Sequence, residues 1–317
     1  MALATPGAIL REVIRKLSLL LLVLLVLVSL YKPTRLAAIA ALGLGQGCTV
    51  ERSIDAAAHT QRIIAAKDRI LAASKKIAEE PPYVQWETPD GSYWIPARKH
   101  GEFALPFNIA EEEVGLYTSG PVHIKEGDIV LDCGANVGVY TRRALKAGAR
   151  IVVAIEPAPQ NIEVLKRNFA PEIEQGRVIV YPKGVWDKDD MLVLHQHSDN
   201  SAADSFVINQ EKDKADTHTA DEKLPLTTID KLVTELKLER VDFIKMDIEG
   251  AEVHALNGAR ETIAKYHPRM ALSTYHQPEH PVEVPKAVRA AWSGYRQLCG
   301  PCTEVSWRVR PDVLLFY

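Results

Sequence analysis

The clearest pattern in the chain lies in its C-terminal part, where short apolar stretches alternate with amphipathic ones. The apolar stretches predict strands at 128–133, 151–155, 177–181, 241–247 and 269–275. The stretches between them predict helices at about 137–147, 158–169, 229–237 and 250–265. Strands that alternate with helices favour a parallel sheet, and continuously apolar strands fit a sheet covered by helices on both faces. We therefore expect a doubly wound, mostly parallel α/β domain, which the alternating tail at 303–317 could close with an antiparallel hairpin.

A long linker helix is predicted ahead of this domain. Residues 53–80 are rich in helix formers, begin at the capping residue Ser53 and are followed by two prolines. Isoleucines recur along it every seven residues, at Ile63, Ile70 and Ile77. Such an apolar stripe indicates that the helix packs on the domain or pairs with a second copy of the chain.

The same pattern predicts a β-hairpin before the main domain and the boundaries between four segments of the chain. Residues 83–96 alternate aromatic and β-branched side chains around a Pro-Asp-Gly turn, which is typical of a hairpin. We expect this hairpin to lie in a small β unit on the substrate side of the main domain. The predicted boundaries are an apolar segment at 1–50, the linker helix at 51–82, the β unit at 83–120 and the main domain at 121–317.

The N-terminal segment contains the most apolar stretch of the chain. Residues 17–30 are almost wholly apolar, with Arg15 and Lys16 before them and Lys32 after them. A helix over this stretch rises about 21 Å, less than the roughly 30 Å of a hydrocarbon core, but snorkelling and local thinning of the bilayer can compensate. A single-pass membrane anchor is therefore favoured over a cleaved signal peptide and over a buried core helix.

Composition and charge narrow the function classes. A formal net charge of −3 over 317 residues lacks the basic balance of a nucleic-acid-binding protein. Four cysteines are too few for a disulfide-framed secreted scaffold and favour a reducing compartment. The Cys-Gly-Pro-Cys sequence at 299–302 resembles a redox motif, but its place late in the chain favours a turn with two ordinary thiols. The polar stretch at 195–224 lacks a regular pattern and is expected to be a functional or disordered insertion.

The loop after the first predicted strand of the domain, DCGANVG at 132–138, carries the first chemical signal. Its glycines, Gly134 and Gly138, do not fit the G-x-G-x-x-G spacing of a dinucleotide site, which disfavours a nicotinamide dehydrogenase. Asp132 would repel a pyrophosphate but attract an ammonium or sulfonium group. Glu156 ends the next strand, where an acid can accept both hydroxyls of a ribose. A nucleoside with a positively charged tail fits both acids, and S-adenosylmethionine is such a molecule.

Five motifs resemble the FkbM-type methyltransferases: VLDCGANVGVYT, AIEPAPQN, LTTIDKL, VDFIKMDIEGAEVHALNGA and MALSTYHQPEH, in this order. They extend over about residues 128–280, and IKMDIEGAE is the most specific of them. The resemblance implies a class I methyltransferase domain with a Rossmann-like sheet and S-adenosylmethionine as the cofactor. It also implies an acceptor hydroxyl on a sugar, a polyketide, a lipid-linked glycan or a related small molecule.

The resemblance extends to individual residues. Those that would bind the cofactor are Asp132, Gly134, Asn136 and Gly138 at the methionine end, and Glu156 with Pro157 at the ribose. Asp247 and Glu249, at the end of the fourth predicted strand, would face its reactive side. Cys133, within the loop, is expected to point into the sheet and to be inert.

Methyl transfer to a hydroxyl needs a base that removes the proton. Asp247 or Glu249 would serve if burial and an acidic neighbour raise its pKa. The alternative is that Asp247 only orders the cofactor loop and that Glu249 caps the next helix. Glu252, one helical turn after Glu249, could join these acids, but such a residue is more often a solvated helix residue, which is the favoured interpretation. His276, after the fifth strand, is a further candidate for the base or a substrate contact.

No metal site is predicted, because Pro278 disrupts the helix that would align His276, Glu279 and His280. The expected partners are a small-molecule or glycan acceptor and a membrane, with no nucleic acid. Since S-adenosylmethionine is made in the cytosol, the catalytic domain should face that side. The rival interpretation is a membrane-anchored binding module that keeps the fold without catalysis.

Overall fold

The computed structural model describes residues 6–98, 101–197, 204–207, 218–305 and 308–317. The chain opens with helices α1 (Pro6–Leu30), α2 (Lys32–Ile39) and α3 (Val50–Ala73). Within the described residues, no single helix has the length and apolarity to cross a membrane. The stretches Leu10–Leu27 and Lys32–Leu44 meet that criterion only jointly, as a pair bent by 103°.

Helix α3 differs from the predicted linker helix at both ends. It begins after Thr49, whose hydroxyl accepts a hydrogen bond from the N–H of Arg52, so Thr49 and not Ser53 is the cap. It ends at Ala73, and the backbone of Ser74 is extended. The residues after it pair as a strand, so the prediction of one helix over 53–80 is wrong.

A small antiparallel sheet follows, formed by β1 (Lys75–Glu80), β2 (Tyr83–Thr88) and β3 (Gly91–Pro96). Strands β2 and β3 confirm the predicted hairpin. Helix α4 (Gly101–Glu113), which the pattern did not predict, comes next. A shared apolar cluster joins α3, the small sheet, α4 and the main domain, and it includes Ile63, Ile70, Tyr93, Ile95, Leu105, Ile109, Val137 and Val164. The N-terminal unit therefore packs on the main domain beside the glycine loop.

The main domain is built on a seven-stranded sheet. The strands after β3 are β4 (Ile129–Cys133), β5 (Ile151–Ile155), β6 (Val178–Tyr181), β7 (Gly184–Val185), β8 (Asp190–His197), β9 (His218–Thr227), β10 (Phe243–Met246), β11 (Arg269–Ser273), β12 (Gln297–Cys299), β13 (Cys302–Val305), β14 (Arg308–Pro311) and β15 (Val313–Phe316). The sheet has the order β12-β15-β11-β10-β4-β5-β6, and β15 runs antiparallel to both of its neighbours. This is the class I methyltransferase arrangement, which confirms the predicted fold class and the antiparallel closure by the tail.

Helices cover both faces of this sheet. They are α5 (Val139–Lys146), α6 (Pro159–Asn168), α7 (Ala170–Glu174), α8 (Ile229–Glu235), α9 (Glu252–Asn257), α10 (Arg260–Tyr266) and α11 (His280–Ala291). Alternate strand residues enter two separate apolar cores: Leu131 and Ile244 lie in one, Val130 and Phe243 in the other. The helix predicted at 250–265 is divided in two at Gly258. A Cβ there would lie 2.0 Å from the carbonyl oxygen of Trp186, so the close approach requires glycine.

The polar stretch at 195–224 begins and ends in strand. Strands β8 and β9 pair antiparallel, and β9 also pairs with β7, which corrects the expectation of an unpatterned insertion. The stretches 198–203 and 208–217 lie outside the described residues. Of the part between them, Asp204 forms an ion pair of 2.8 Å with Arg98.

The cysteines depart from the prediction. Cys48 and Cys302 form a disulfide that joins the segment after α2 to β13. The Sγ of Cys299 lies 3.4 Å from that of Cys302. The prediction of a turn with two ordinary thiols is therefore wrong, and the cysteine count no longer favours a reducing compartment.

Candidate functional site

The glycine loop is fixed by close packing against the end of β10. Gly134 has a φ of +80°, and a Cβ there would lie 1.9 Å from the carbonyl oxygen of Asp247. Gly138 has a φ of +93° at the start of α5, and a Cβ there would lie 2.1 Å from the ring of Phe169. Side chains are thus excluded at both positions, and the loop is held against the residues that follow β10.

Asp132 lies completely buried beneath this loop. Its Oδ2 accepts a hydrogen bond of 2.7 Å from the hydroxyl of Thr141, and its Oδ1 lies 3.3 Å from Nζ of Lys245. Lys245 also donates to the carbonyl oxygen of Gly134 at 3.0 Å. The charge of Asp132 is therefore compensated inside the protein, and its role is to hold Lys245 and α5 in place. Burial raises the pKa of the neighbouring Cys133 thiol far above its ordinary value, in keeping with an inert thiol.

Glu156 lies at the end of β5, where the sequence predicted a ribose contact. Its Oε2 accepts from the N–H of Asn136 at 2.9 Å, and its Oε1 accepts from the N–H of Ala158 at 2.9 Å and from the amide of Asn161 at 3.3 Å. Three of about four lone-pair positions are thus used, which leaves room for one ribose hydroxyl instead of the two predicted. Burial raises the pKa of Glu156 to about 7.

Two clefts open at this edge of the sheet. The first, of about 550 Å³, is largely apolar and has Glu156 and Pro157 in its wall, with Ile155, Val185, Leu194, Phe206 and Ala251. The second, of about 950 Å³, lies between the loop and α4 and is lined by Phe107, Asn108, Glu111, Glu112, Tyr117, Tyr140, Lys245 and Tyr275. The residues that line both clefts are Gly134, Asn136, Asp247 and Glu249. Four of the predicted site residues therefore lie where the clefts meet.

Two buried polar atoms in these walls have no hydrogen-bond partner among the described residues. They are Oδ1 of Asn136, shared by both clefts, and the hydroxyl of Tyr140 in the second cleft. An unsatisfied buried polar atom is costly, so both atoms are suited to bind a ligand.

The second cleft has an acidic wall that the sequence interpretation missed. Burial raises the pKa of Glu111 well above its ordinary value and that of Glu112 to about 8. Nearby Asp247 raises both pKa values further and Lys245 lowers both, while Asp132 raises that of Glu112. The sequence feature that could have indicated this wall is the run of three glutamates at 111–113. Because α4 was not predicted, the position of these glutamates relative to the site could not be inferred.

Asp247 is held in its ionised form. Tyr117 donates to its Oδ2 at 2.9 Å, and Tyr275 donates to its Oδ1 at 3.2 Å. Burial alone would raise the pKa of Asp247, but Lys245, His276 and the bond from Tyr117 together keep it below its ordinary value. The hypothesis that its pKa rises to make it a base is therefore wrong, and a positioning role is the better interpretation.

His276 lies behind the acids of the cleft wall and is almost fully buried. Its Nε2 is 3.3 Å from Oδ1 of Asp247 and 3.4 Å from Oε1 of Glu249. Its Nδ1 is 2.8 Å from Oε1 of Glu252. Burial alone would lower the pKa of His276, but Glu249 and Glu252 raise it well above its ordinary value. His276 is thus a buried cation at neutral pH, which corrects the expectation that it faces the ligand.

Glu252, expected to be solvated, is completely buried. Its carboxylate accepts from the N–H groups of Ile248 at 3.0 Å and Gly250 at 3.1 Å, and so fixes the loop before α9. The N-cap of α9 is Ala251, so the alternative that Glu249 caps this helix is wrong. Glu249 itself has a left-handed φ of +52° in the loop between β10 and α9. Ligand atoms of Asp247, Glu252 and His276 lie within 4.8 Å of one another, a spacing that a divalent cation could also use.

Comparison with known proteins places these motifs in one family. The sequence profile described as the methyltransferase FkbM domain matches residues 132–295, just over half of the chain. Among curated proteins, the methyltransferase sdnD of Sordaria araneosa is 27% identical over 166 residues, and the 2-O-methyltransferase NoeI of Sinorhizobium fredii is 24% identical over 151 residues. These alignments cover 44% of this chain and 63% and 61% of the relatives, so less than two thirds of either relative is represented. The crystal structure of a methyltransferase FkbM from Methylobacillus flagellatus KT superposes with a TM-score of 0.46 at 19% identity, over 88% of this chain and 65% of that one.

Proposed function

The chain belongs to the methyltransferase FkbM domain family, and on that premise we propose that it transfers a methyl group from S-adenosylmethionine to a hydroxyl of a sugar, a lipid-linked glycan or another small molecule. The observation that carries the proposal is the meeting of two clefts at Asp247 and Glu249. One cleft suits a nucleoside, and the other would take the amino-acid end of the cofactor and the acceptor. The junction is the place where a methyl donor and its acceptor would touch.

The first cleft would hold the adenosine half of the cofactor. Its apolar walls suit an adenine ring, and Glu156 keeps one lone pair for a ribose hydroxyl. When bound, the cofactor supplies a methyl group on a positively charged sulfur. The acids at the junction, Asp247 and Glu249, favour that positive charge.

The methionine half would extend into the second cleft. The amino-acid end of the cofactor carries an ammonium group and a carboxylate, and the second cleft contains both acidic and basic side chains. Glu111 and Glu112 would bind the ammonium, while Lys245 keeps one of its three N–H groups for the carboxylate. The unpartnered amide oxygen of Asn136 adds an acceptor near the same place.

Glu249 is the base in this proposal, and His276 is a positioning residue. Glu249 lines both clefts, whereas His276 lies behind it and touches neither substrate. The contacts from Glu252 to His276 and from His276 to Glu249 hold the half-buried carboxylate of Glu249 at the junction, where it would accept the proton of the acceptor hydroxyl. Asp247, held by Tyr117 and Tyr275, orients the ligands without taking the proton.

We infer that the N-terminal segment lies at a membrane, and the cytosolic supply of S-adenosylmethionine favours the cytosolic side for the catalytic domain, where reductants would act on the bond between Cys48 and Cys302. The leucines of α1 support this proposal, because Leu17, Leu20 and Leu24 are all more than half exposed among the described residues. Liposome flotation of the full chain and of a Leu20→Glu, Leu24→Glu variant tests it. Equal flotation of the two proteins would contradict it.

The experiment that tests the proposed function is titration calorimetry of the full chain with S-adenosylmethionine, S-adenosylhomocysteine and NAD. Micromolar binding of the first two, and not of NAD, is expected. Transfer of a labelled methyl group to a panel of sugars and glycans then identifies the acceptor. Glu249→Gln should keep cofactor binding and lower the transfer rate by about 10²-fold or more. A folded chain that binds NAD and not S-adenosylmethionine would overturn the proposal.

A further inference from the structure

Three sulfur atoms lie together on the side of the domain where the N-terminal segment meets the tail. The Sγ of Cys299 is 3.4 Å from that of Cys302 and 3.8 Å from that of Cys48, while Cys48 and Cys302 share the disulfide. This cluster is separate from both clefts. A thiol in van der Waals contact with a disulfide is close enough for thiol–disulfide exchange once a rotation of the Cys299 side chain brings the three sulfurs into line.

We propose that Cys48, Cys299 and Cys302 form an exchange site in which Cys302 pairs with either Cys48 or Cys299. The thiolate of Cys299 attacks Sγ of Cys302, the bond between Cys302 and Cys48 breaks, and Cys48 leaves as the thiolate. The proton lost by Cys299 is taken up by Cys48. One disulfide is present before and after, so no external oxidant or reductant is needed.

The exchange changes what holds the N-terminal segment to the domain. With Cys48 bonded to Cys302, the segment is tied covalently to β13, beside an apolar cluster that includes Leu36, Ile39 and Val309. With Cys299 bonded to Cys302, the bridge becomes local to the tail. Among the described residues, the contacts that still hold the segment include this cluster and the paired hydrogen bonds of 2.9 and 2.7 Å from Arg35 to Glu304.

The surroundings of Cys299 determine the rate of the exchange, because they determine the pKa of its thiol. Burial raises the pKa of its thiol to about 11; Arg52 lowers it and Asp312 raises it. The thiolate fraction is therefore small at neutral pH and grows about tenfold with each pH unit below 11. The exchange should be slow at pH 7 and about ten times faster at pH 9 than at pH 8.

Tryptic peptide mapping of the full chain separates the two pairings. The protein is held without reductant at pH 8 or 9, quenched in acid with N-ethylmaleimide, and digested. Cleavage after Arg35, Arg52, Arg296 and Arg308 places Cys48 in peptide 36–52 and both other cysteines in peptide 297–308. If Cys48 is bonded to Cys302, as in the structure, the disulfide links the two peptides and N-ethylmaleimide is attached to Cys299. The exchanged pairing leaves peptide 297–308 internally bridged and peptide 36–52 alkylated.

We expect the internally bridged form to appear with time, faster at pH 9, and the exchange of backbone amide hydrogens in residues 36–48 to rise with it. Cys299→Ser should stay in the linked form throughout. Cys133→Ser, which removes the inert buried thiol, should behave as the wild type. A wild-type protein that stays fully linked at both pH values would overturn the proposal. A product with Cys48 bonded to Cys299 would also overturn it, because Cys302 would not be the atom attacked.

Discussion

At Gly134 a single added methyl group would meet the backbone of Asp247, which makes this position the sharpest test of the loop geometry. Gly134→Ala combines a left-handed φ with a contact of 1.9 Å. Gly176 also has a left-handed φ, of +70°, but has nothing within 4 Å of its Cβ position. Gly176→Ala should therefore lose about 1 kcal/mol of unfolding free energy, and Gly134→Ala clearly more, together with cofactor binding. Urea unfolding and calorimetry measure both effects, and equal losses would contradict the close approach.

Glu112 tests the proposed contact with the methionine ammonium. Glu112→Gln should weaken binding of S-adenosylmethionine and S-adenosylhomocysteine about tenfold, since a hydrogen bond to a charged group is worth about 1.5–3 kcal/mol. Binding of 5′-methylthioadenosine, which lacks the amino-acid end, should not change. The matched control is Glu113→Gln, because Glu113 is exposed on the same helix and pairs with Arg69 at the surface. Equal weakening of all three ligands would rule out this contact.

The same residue gives cofactor binding a dependence on pH. The pKa of Glu112, raised to about 8, leaves the free carboxyl protonated at pH 7. An ammonium group favours the ionised form, so binding releases a proton and affinity should rise from pH 7 toward pH 8, below the range in which an α-amino group itself loses its proton. Lys245, Asp132, Arg143 and Asp247 also act on the carboxyl of Glu112. Calorimetry at three pH values between 6.5 and 8 should show a slope in the wild type that Glu112→Gln reduces and that the remaining Glu111 does not fully restore.

The site residues that directly follow β4 and β5 could be predicted because each belongs to a short motif at the end of its strand. Gly134, Asn136 and Glu156 follow strands whose apolar pattern is unambiguous, and the structure places them at the cleft edges. The burial of Glu252 and the partnership of Lys245 with Asp132 could not be predicted in the same way. Both depend on which side chains approach from neighbouring strands, and a single sequence does not record such contacts.

At the scale of elements, α3 offers a direct test of how the N-terminal unit is attached. Ile70 is 1% exposed in the shared apolar cluster, whereas Ile64 on the same helix is 46% exposed. Ile70→Ala should cost about 2–5 kcal/mol of unfolding free energy, and Ile64→Ala less than about 0.5 kcal/mol. Chemical unfolding followed by tryptophan fluorescence measures both. Similar losses would mean that α3 does not pack on the domain through this face.

The buried isoleucines also bear on self-association. Ile63 and Ile70 are covered by the chain's own residues, so a second copy would have to use the exposed face that includes Ile64. Pairing between copies through this helix stays a prediction. Sedimentation of the full chain and of Ile64→Glu tests it, because only a dimer held by that face would be lost in the variant.

The helix predicted over 53–80 shows why element boundaries were harder to predict than element types. Its composition continues to favour helix beyond residue 73, and Ile77 continues the seven-residue repeat. Pairing with β2, which sets Lys75 opposite Glu87 and Glu80 opposite Tyr83, overrides that local preference. The break at Gly258 is similar, since only the approach of Trp186 requires it.

For the whole molecule, the buried acids predict that stability falls as pH rises through the neutral range. Folding raises the pKa of Glu156 from 4.5 to about 7, and those of Glu112 and Asp312 to about 8 and 6. Each of these carboxyl groups binds its proton more tightly in the folded state than in the unfolded state. Its contribution to the free energy of unfolding is therefore complete at pH values below its unfolded pKa. That contribution is lost as pH rises through the folded pKa, by up to about 1.4 kcal/mol per pH unit for each proton.

Urea unfolding at pH 5, 6, 7 and 8 should therefore show a declining free energy of unfolding. Glu156→Gln should make the decline between pH 5 and 7 shallower, because it removes the contribution of this carboxyl and leaves those of Glu112 and Asp312. Glu163→Gln, at a half-buried helix position of the same domain, serves as the control and should keep the wild-type slope. A wild-type curve that is flat or rises over this range would contradict the burial of these acids.

Long-range pairings mark the limit of what the sequence could predict for the whole molecule. The doubly wound, mostly parallel character of the central sheet followed from the family resemblance and from the alternation of strands and helices. The disulfide did not, because Cys48 and Cys302 are separated by 254 residues and spacing does not determine connectivity. The pairing of β8 with β9 likewise joins the two ends of a polar stretch whose local pattern gave no sign of a sheet.

The shared wall of the two clefts has a consequence for inhibitor design. Because Gly134, Asn136, Asp247 and Glu249 border both clefts, one compound could place an adenosine in the first and an acceptor mimic in the second through a short linker. Each half would hold the other at a high effective concentration, and affinity should exceed that of either half by about 10²–10⁴. The acceptor half would contact α4, which lies outside the segment that matches the family. Selectivity for this protein over related methyltransferases should therefore come from the groups that reach Phe107 and Asn108.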